Sequence, residues 1–224
     1  MYKISETCQI KDLKKIYEKY FNYNNGMFVE VGAFDGETFS NTSGLADYGW
    51  EGIYIEPIES QYKSCKERHK KNNVLVLKNS IGTHEGEIEI FIGGSLTTTS
   101  IDQSNRYKEI DWSKHKSFNT SKCDQLRLET VLNRYNIKPK FDLLCVDVEG
   151  QEYDVFNSFD LEYWKPKMII VELEDDHSSF QQYEDYIGDV KNLREKIKNT
   201  GYTEIYRDKI NTVFVDQNIN SYDN

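Results

Sequence analysis

Acidic side chains recur in this sequence where short apolar runs end. Glu30 lies in the run Phe28-Val29-Glu30-Val31, which breaks into Gly32-Ala33-Phe34-Asp35-Gly36. Glu56 closes the run Gly52–Glu56, and Pro57 follows it. Asp147, Glu149 and Glu152 come after Phe141–Val146; Glu172, Glu174, Asp175, Asp176 and His177 close or follow Lys167–Leu173. In an open α/β sheet, ligands bind at the carboxyl ends of the strands, near the point where strand order reverses. These acids therefore stand where such a fold does its chemistry.

The first of these strand ends has a definite character. Two glycines around a small Ala33 let the backbone turn sharply and approach a ligand closely. Their spacing is GxxxG, not GxGxxG, so a pyrophosphate cradle is incomplete. Glu30 would repel phosphates and suits a cationic ligand end such as an α-ammonium group. Glu56 can accept hydrogen bonds from both hydroxyls of a ribose. After a third apolar run, Asn79, Ser80 and Ile81 are placed to meet an adenine edge and face. A nucleoside without phosphate but with an amino-acid tail is S-adenosylmethionine.

The later strand ends offer proton chemistry. An alcohol hydroxyl is a weak nucleophile, with a pKa far above 7, so a base or a metal must assist its attack. Two readings stay open. Asp147 or His177 serves directly as a general base, with Glu149 beside them; or Asp147 and Glu172, with Glu149 in reach, hold Mg²⁺ or a similar hard cation. Glu149 and Glu152 have a plainer reading as first-turn acids that favour a helix dipole. Glu174 to Asp176 could equally form an exposed acidic loop.

The elements that must position these residues follow from periodicity. Ile10, Leu13, Ile16, Tyr17 and Tyr20 have helical spacing, so residues 1–25 read as a helical extension packed on the domain that follows, 26–224. Strands are expected at Met27–Val31, Gly52–Glu56, Val74–Leu77, Phe141–Val146 and Lys167–Leu173, with an edge strand at Glu87–Ile92. Helices are expected over 36–48, 58–70, 126–135, 151–159 and 180–199. Tyr202–Tyr206 and Thr212–Val215 read as a closing antiparallel pair. The alternation gives a parallel sheet covered by helices. Residues 93–122 are polar and aperiodic, the mark of an insertion or lid. Arg106, Trp112 and His115 within it could contact an acceptor by hydrogen bonds and stacking.

FVEVGAFDGETFSNT, GWEGIYIEP and FDLLCVDVEGQEYDVF together resemble the FkbM-type branch of the class I methyltransferases that use S-adenosylmethionine, over about residues 26–175. The resemblance implies a Rossmann-like α/β fold: a seven-stranded, mostly parallel sheet with the last strand antiparallel and helices on both faces. It also implies O-methylation, often of a sugar hydroxyl in a glycan or saccharide-containing metabolite. Carried over by position, Glu30, Gly32, Ala33, Asp35 and Gly36 line the methionine side of the cofactor, with Ser40 and Asn41 near the same tail. Glu56 takes the ribose, and Ser80 with Ile81 the adenine. The cofactor set also takes in Phe34, Pro57 and Asp147. Two rivals remain: a metal-dependent glycosyltransferase using Asp147-Val148-Glu149, and an inactive module that binds the cofactor without turnover.

Composition narrows the partners. Asp and Glu number 38 against 28 Lys and Arg, a formal charge of −10, which disfavours a nucleic-acid backbone as partner. The longest apolar runs are four residues, whereas a membrane span needs roughly 20. The N-terminus lacks the apolar core of a secretory signal. The four cysteines form no CxxC pair, which fits a reducing, cytoplasmic setting.

Overall fold

The computed structural model describes residues 4–219. Along the chain it has α1 (Leu13–Tyr20), β1 (Met27–Val31), α2 (Ser43–Tyr48), β2 (Glu51–Ile55), α3 (Glu59–Arg68), β3 (Val74–Leu77), β4 (Ser80–Ile81) and β5 (Gly86–Ile92). There follow α4 (Ile101–Glu109), β6 (Asn119–Leu126), α5 (Leu128–Arg134), β7 (Leu143–Val146), α6 (Glu152–Asn157), α7 (Leu161–Trp164), β8 (Met168–Glu172), α8 (Glu184–Asn199), β9 (Tyr202–Arg207) and β10 (Asn211–Asp216).

Seven strands form one sheet in the order β3-β2-β1-β7-β8-β10-β9. The first five run parallel, and β10 is antiparallel to both β8 and β9. Both faces are buried, which is why the central strands read as nearly unbroken apolar runs. Val29, Val31, Ile53, Ile55, Leu144, Val146, Ile169 and Val171 point into one core with α5 and α8. Phe28, Tyr54, Leu143, Cys145, Met168 and Ile170 point into the other, which α1 and α2 cover. Leu13, Tyr17 and Phe21 bring the N-terminal segment onto that second face, with the Phe21 ring 5.2 Å from Trp50.

Three sequence expectations need correction. The helix expected over 36–48 begins only at Ser43, because Phe34, Gly36 and Phe39 all adopt left-handed φ values of 48°, 77° and 60°. No helix can form through such backbone. Residues 93–122 are not one structureless loop. They hold a 3₁₀ turn at Gly94–Leu96, all of α4, and the start of β6, which builds a second sheet of order β4-β6-β5. The helix expected over 180–199 starts at Glu184. Among the described residues, no helix is long and apolar enough to cross a membrane.

Candidate functional site

A cavity of about 520 Å³ opens at the carboxyl ends of β1, β2, β7 and β8. Strand order reverses between β1 and β7, so the cavity sits where an open α/β sheet binds its ligand. The floor is the turn after β1. Gly32 has φ 87°, and a Cβ there would fall 1.7 Å from the backbone oxygen of Asp147. Only glycine lets the ends of β1 and β7 approach this closely. The Gly32 and Ala33 N–H groups both donate to the Ile55 carbonyl, at 3.0 and 3.1 Å, which ties the turn to β2.

Glu56 is 6% exposed. Its Oε2 accepts from Phe34 N–H at 2.9 Å and its Oε1 from Ile58 N–H at 2.8 Å. Burial pushes its carboxyl up to about 7, against the pull of these two donors. Glu30 is equally buried; Ser40 Oγ reaches both of its oxygens at 3.3 Å, and the Thr42 hydroxyl donates to Oε2. Burial raises Glu30, too, to about 7. Phe34, Ser40, Asn41, Pro57, Asn79, Ser80 and Ile81 join Glu30, Gly32, Ala33 and Glu56 in the wall.

Asp35 and Gly36 are not part of that wall. Asp35 accepts from the backbones of Glu37 and Thr38 and from the Thr38 hydroxyl, at 2.7–2.9 Å, and so shapes the turn. Gly36 lies against His69, whose Nε2 is 2.8 Å from its carbonyl.

The opposite wall is acidic. Asp147, Glu149 and Glu172 each place one carboxylate oxygen within 4.8 Å of the others. The Tyr107 hydroxyl donates to Glu149. Glu152 accepts from Val148 N–H at 3.0 Å and Gly150 N–H at 3.3 Å, and Glu174 from the Tyr186 hydroxyl at 3.1 Å. Burial, then repulsion from the neighbouring acids, holds Glu149 and Glu172 well above the usual carboxylate range. Burial raises Asp147 as well, partly offset by its contact with Glu172.

Several expected members of this wall lie elsewhere. Glu152 faces a separate, smaller pocket with Arg106, which sits over the Tyr186 ring at 5.1 Å. Asp175 pairs with Arg194 at 2.5 Å and Arg207 at 2.9 Å, and Asp176 pairs with Arg207 at 2.6 Å. His115 is exposed. His177 does line the cavity, next to the 51% exposed Trp112, 6.3 Å away between rings. Its Nδ1 accepts from Ser179 N–H at 3.3 Å, which leaves the proton of the neutral ring on Nε2.

Sequence reasoning missed Tyr107, Gln9 and the wall formed by 94–99, and Thr42, which supports Glu30 from behind. Gln9 is joined to Asn211, at the start of β10, by a 3.2 Å hydrogen bond. A signal for Tyr107 was present in Ser100-Ile101-Asp102-Gln103, a capping-box spacing. Ser100 Oγ indeed caps α4 by accepting from Gln103 N–H at 3.1 Å.

The sheet order, the antiparallel β10 and the cavity at the β1–β7 switch define the class I methyltransferase fold. A family model described as the methyltransferase FkbM domain matches residues 30–204, and the chain belongs to that family. No curated protein sequence matches it. Among solved structures it is similar to the fibrillarin pre-rRNA processing protein of Methanococcus jannaschii, at 12% identity and TM-score 0.49, covering 87% of this chain and 67% of that one. It is also similar to the O-methyltransferase TomG of Streptomyces achromogenes, solved with S-adenosylmethionine, at 13% identity and TM-score 0.48 over 91% and 77% of the two chains. An O-methyltransferase of Bacillus cereus, in complex with S-adenosylhomocysteine, is 14% identical with TM-score 0.47 over 96% and 83%.

Proposed function

We propose that this chain moves a methyl group from S-adenosylmethionine to a hydroxyl oxygen of a saccharide. The observation that carries the reading is one cavity with two chemically distinct walls: the Gly32 turn with Glu30 and Glu56 on one side, the Asp147 cluster on the other. The donor set fits the cofactor. Glu30 offers negative charge for an ammonium group, Glu56 has lone pairs left for ribose hydroxyls, and Asn79, Ser80 and Ile81 form a partly apolar slot for adenine. When bound, the cofactor supplies an electrophilic sulfonium methyl group.

The chain's own task is to orient the acceptor and take its proton. Asp147 is the best-placed base. Burial raises its carboxyl above the ordinary range, which strengthens it as a base, and it lines the cavity. His177, with its proton on Nε2, suits donation to an acceptor oxygen better than removal of a proton. The exposed face of Trp112 supports a sugar, whose C–H face covers an aromatic ring well. Residues 93–122, which carry Trp112, would close over the acceptor. Family membership favours methyl transfer over the glycosyl transfer that Asp147-Val148-Glu149 also admits.

Calorimetry of the chain against S-adenosylmethionine and S-adenosylhomocysteine tests the donor half; absence of binding to either sinks the reading. Transfer of labelled methyl groups to a panel of saccharides tests the acceptor half. Asp147→Asn should cut turnover by at least 100-fold, within the range of general-base contributions, while changing cofactor affinity little. Equal losses in both would make Asp147 a cofactor ligand only.

A further inference from the structure

We infer that Asp147, Glu149 and Glu172 form a binding site for one hard divalent cation, of the Mg²⁺ or Mn²⁺ kind. The site rests on none of the methyl-transfer steps; with a cation bound, Asp147 serves as its ligand and gives up the role of direct base.

Geometry comes first. Cations of this class hold carboxylate oxygens at about 2.0–2.6 Å, so oxygens sharing one ion lie no more than about 5 Å apart. One oxygen from each of the three residues falls within 4.8 Å of the others. The second observation is independent of proximity. Glu172 is only 8% exposed, and its Oε2 is buried with no hydrogen-bond partner among the described residues. A carboxylate oxygen buried without a donor is costly unless the group takes up a proton or a cation completes it, and a cation would satisfy all three acids at once. The nearby arginines do not supply that charge: Arg194 and Arg207 are committed to Asp175, and Arg106 to the rings of Tyr183 and Tyr186.

The chemistry of the donors selects the ion. All three are carboxylate oxygens, which suit hard cations such as Mg²⁺ and Mn²⁺ better than zinc or copper. Cys145, one position from β7's last residue, packs in the second core, and its sulfur is not among the ligand atoms gathered there. Access is provided for, since Asp147 and Glu149 are only partly buried and both line the cavity. Water or a ligand oxygen can therefore complete the coordination shell. Tyr107 acts as the outer support, its hydroxyl orienting Glu149 toward the other two acids.

The test reads metal binding directly. Mn²⁺ is titrated into the full chain without methyl donor, and the free-ion electron paramagnetic resonance signal is followed. The expected result is one saturable site per chain, displaced by Mg²⁺. Glu172→Gln and Glu149→Gln should each weaken it at least tenfold, while Glu87→Gln on β5 leaves it unchanged. Absence of saturable Mn²⁺ binding to the unmodified chain overturns the site, and that arm needs no variant to fold. Binding undiminished in both Gln variants overturns the assignment to these residues. Because no cofactor is present, failure here is separable from failure of the cofactor calorimetry.

Discussion

At the scale of single residues, Glu56 has two tasks. Its oxygens hold the turn after β1 through Phe34 N–H and Ile58 N–H, and in the proposed function their remaining lone pairs take ribose hydroxyls. Glu56→Gln puts an N–H against one of these donors and should weaken S-adenosylhomocysteine binding by roughly 1–3 kcal/mol in calorimetry. Unchanged affinity would remove Glu56 from the cofactor site. Its raised carboxyl also gives a pH signature. The ionised form is the better acceptor, so binding lowers a carboxyl that stands at about 7 and releases a proton. Affinity should therefore rise from about pH 6 to about pH 8, with proton release visible as a buffer-dependent heat. The strand-end acids were legible as a group because charge stops an apolar run. Which of them face the cavity was not. Asp175 is drawn off by Arg194, distant in sequence, and only tertiary structure shows that pair.

At the scale of elements, legibility followed burial pattern. The central strands could be read because both faces are apolar, and α1 because Leu13 and Tyr17 recur at helical spacing. α4 could not, since its buried positions, Gln103, Ser104 and Tyr107, are largely polar. β6 is mostly exposed, so no alternation of apolar residues marks it. The turn from Phe34 to Phe39 escaped for another reason: phenylalanine seldom adopts left-handed backbone, and nothing local announces it. α1 lies before the family match, which begins at residue 30, yet it is built into the second core. Phe21→Ala should cost about 3–5 kcal/mol in urea unfolding, as for other fully buried phenylalanines. A loss below about 1 kcal/mol would mean that this face folds without the N-terminal segment.

At the scale of the whole molecule, buried acids set the pH dependence of stability. Burial raises Glu30, Glu56 and Glu152 to about 7, and Glu174, also beside Glu152, to about 8, each from 4.5. Between these limits the native chain binds more protons than the unfolded chain, so unfolding free energy falls as pH rises. The stabilisation is full below about 4.5 for these groups and gone above about 8. Thermal unfolding without ligands should show a lower midpoint at pH 8 than at pH 6, and Glu174→Gln should flatten the slope. A midpoint that climbs over this interval would contradict the sign.

The placement of β10 between β8 and β9 also governs the order in which the sheet is completed. Until Asn211–Asp216 has been made, the apolar strand Met168–Glu172 lacks its second neighbour, and β9 has no partner through which to join the sheet. A nascent chain therefore carries a bare, strongly apolar strand edge through the synthesis of some 40 residues, the situation most prone to intermolecular pairing. Ribosome-bound chains ending before Thr212 should associate with one another or with chaperones. Chains that have released β10 should not.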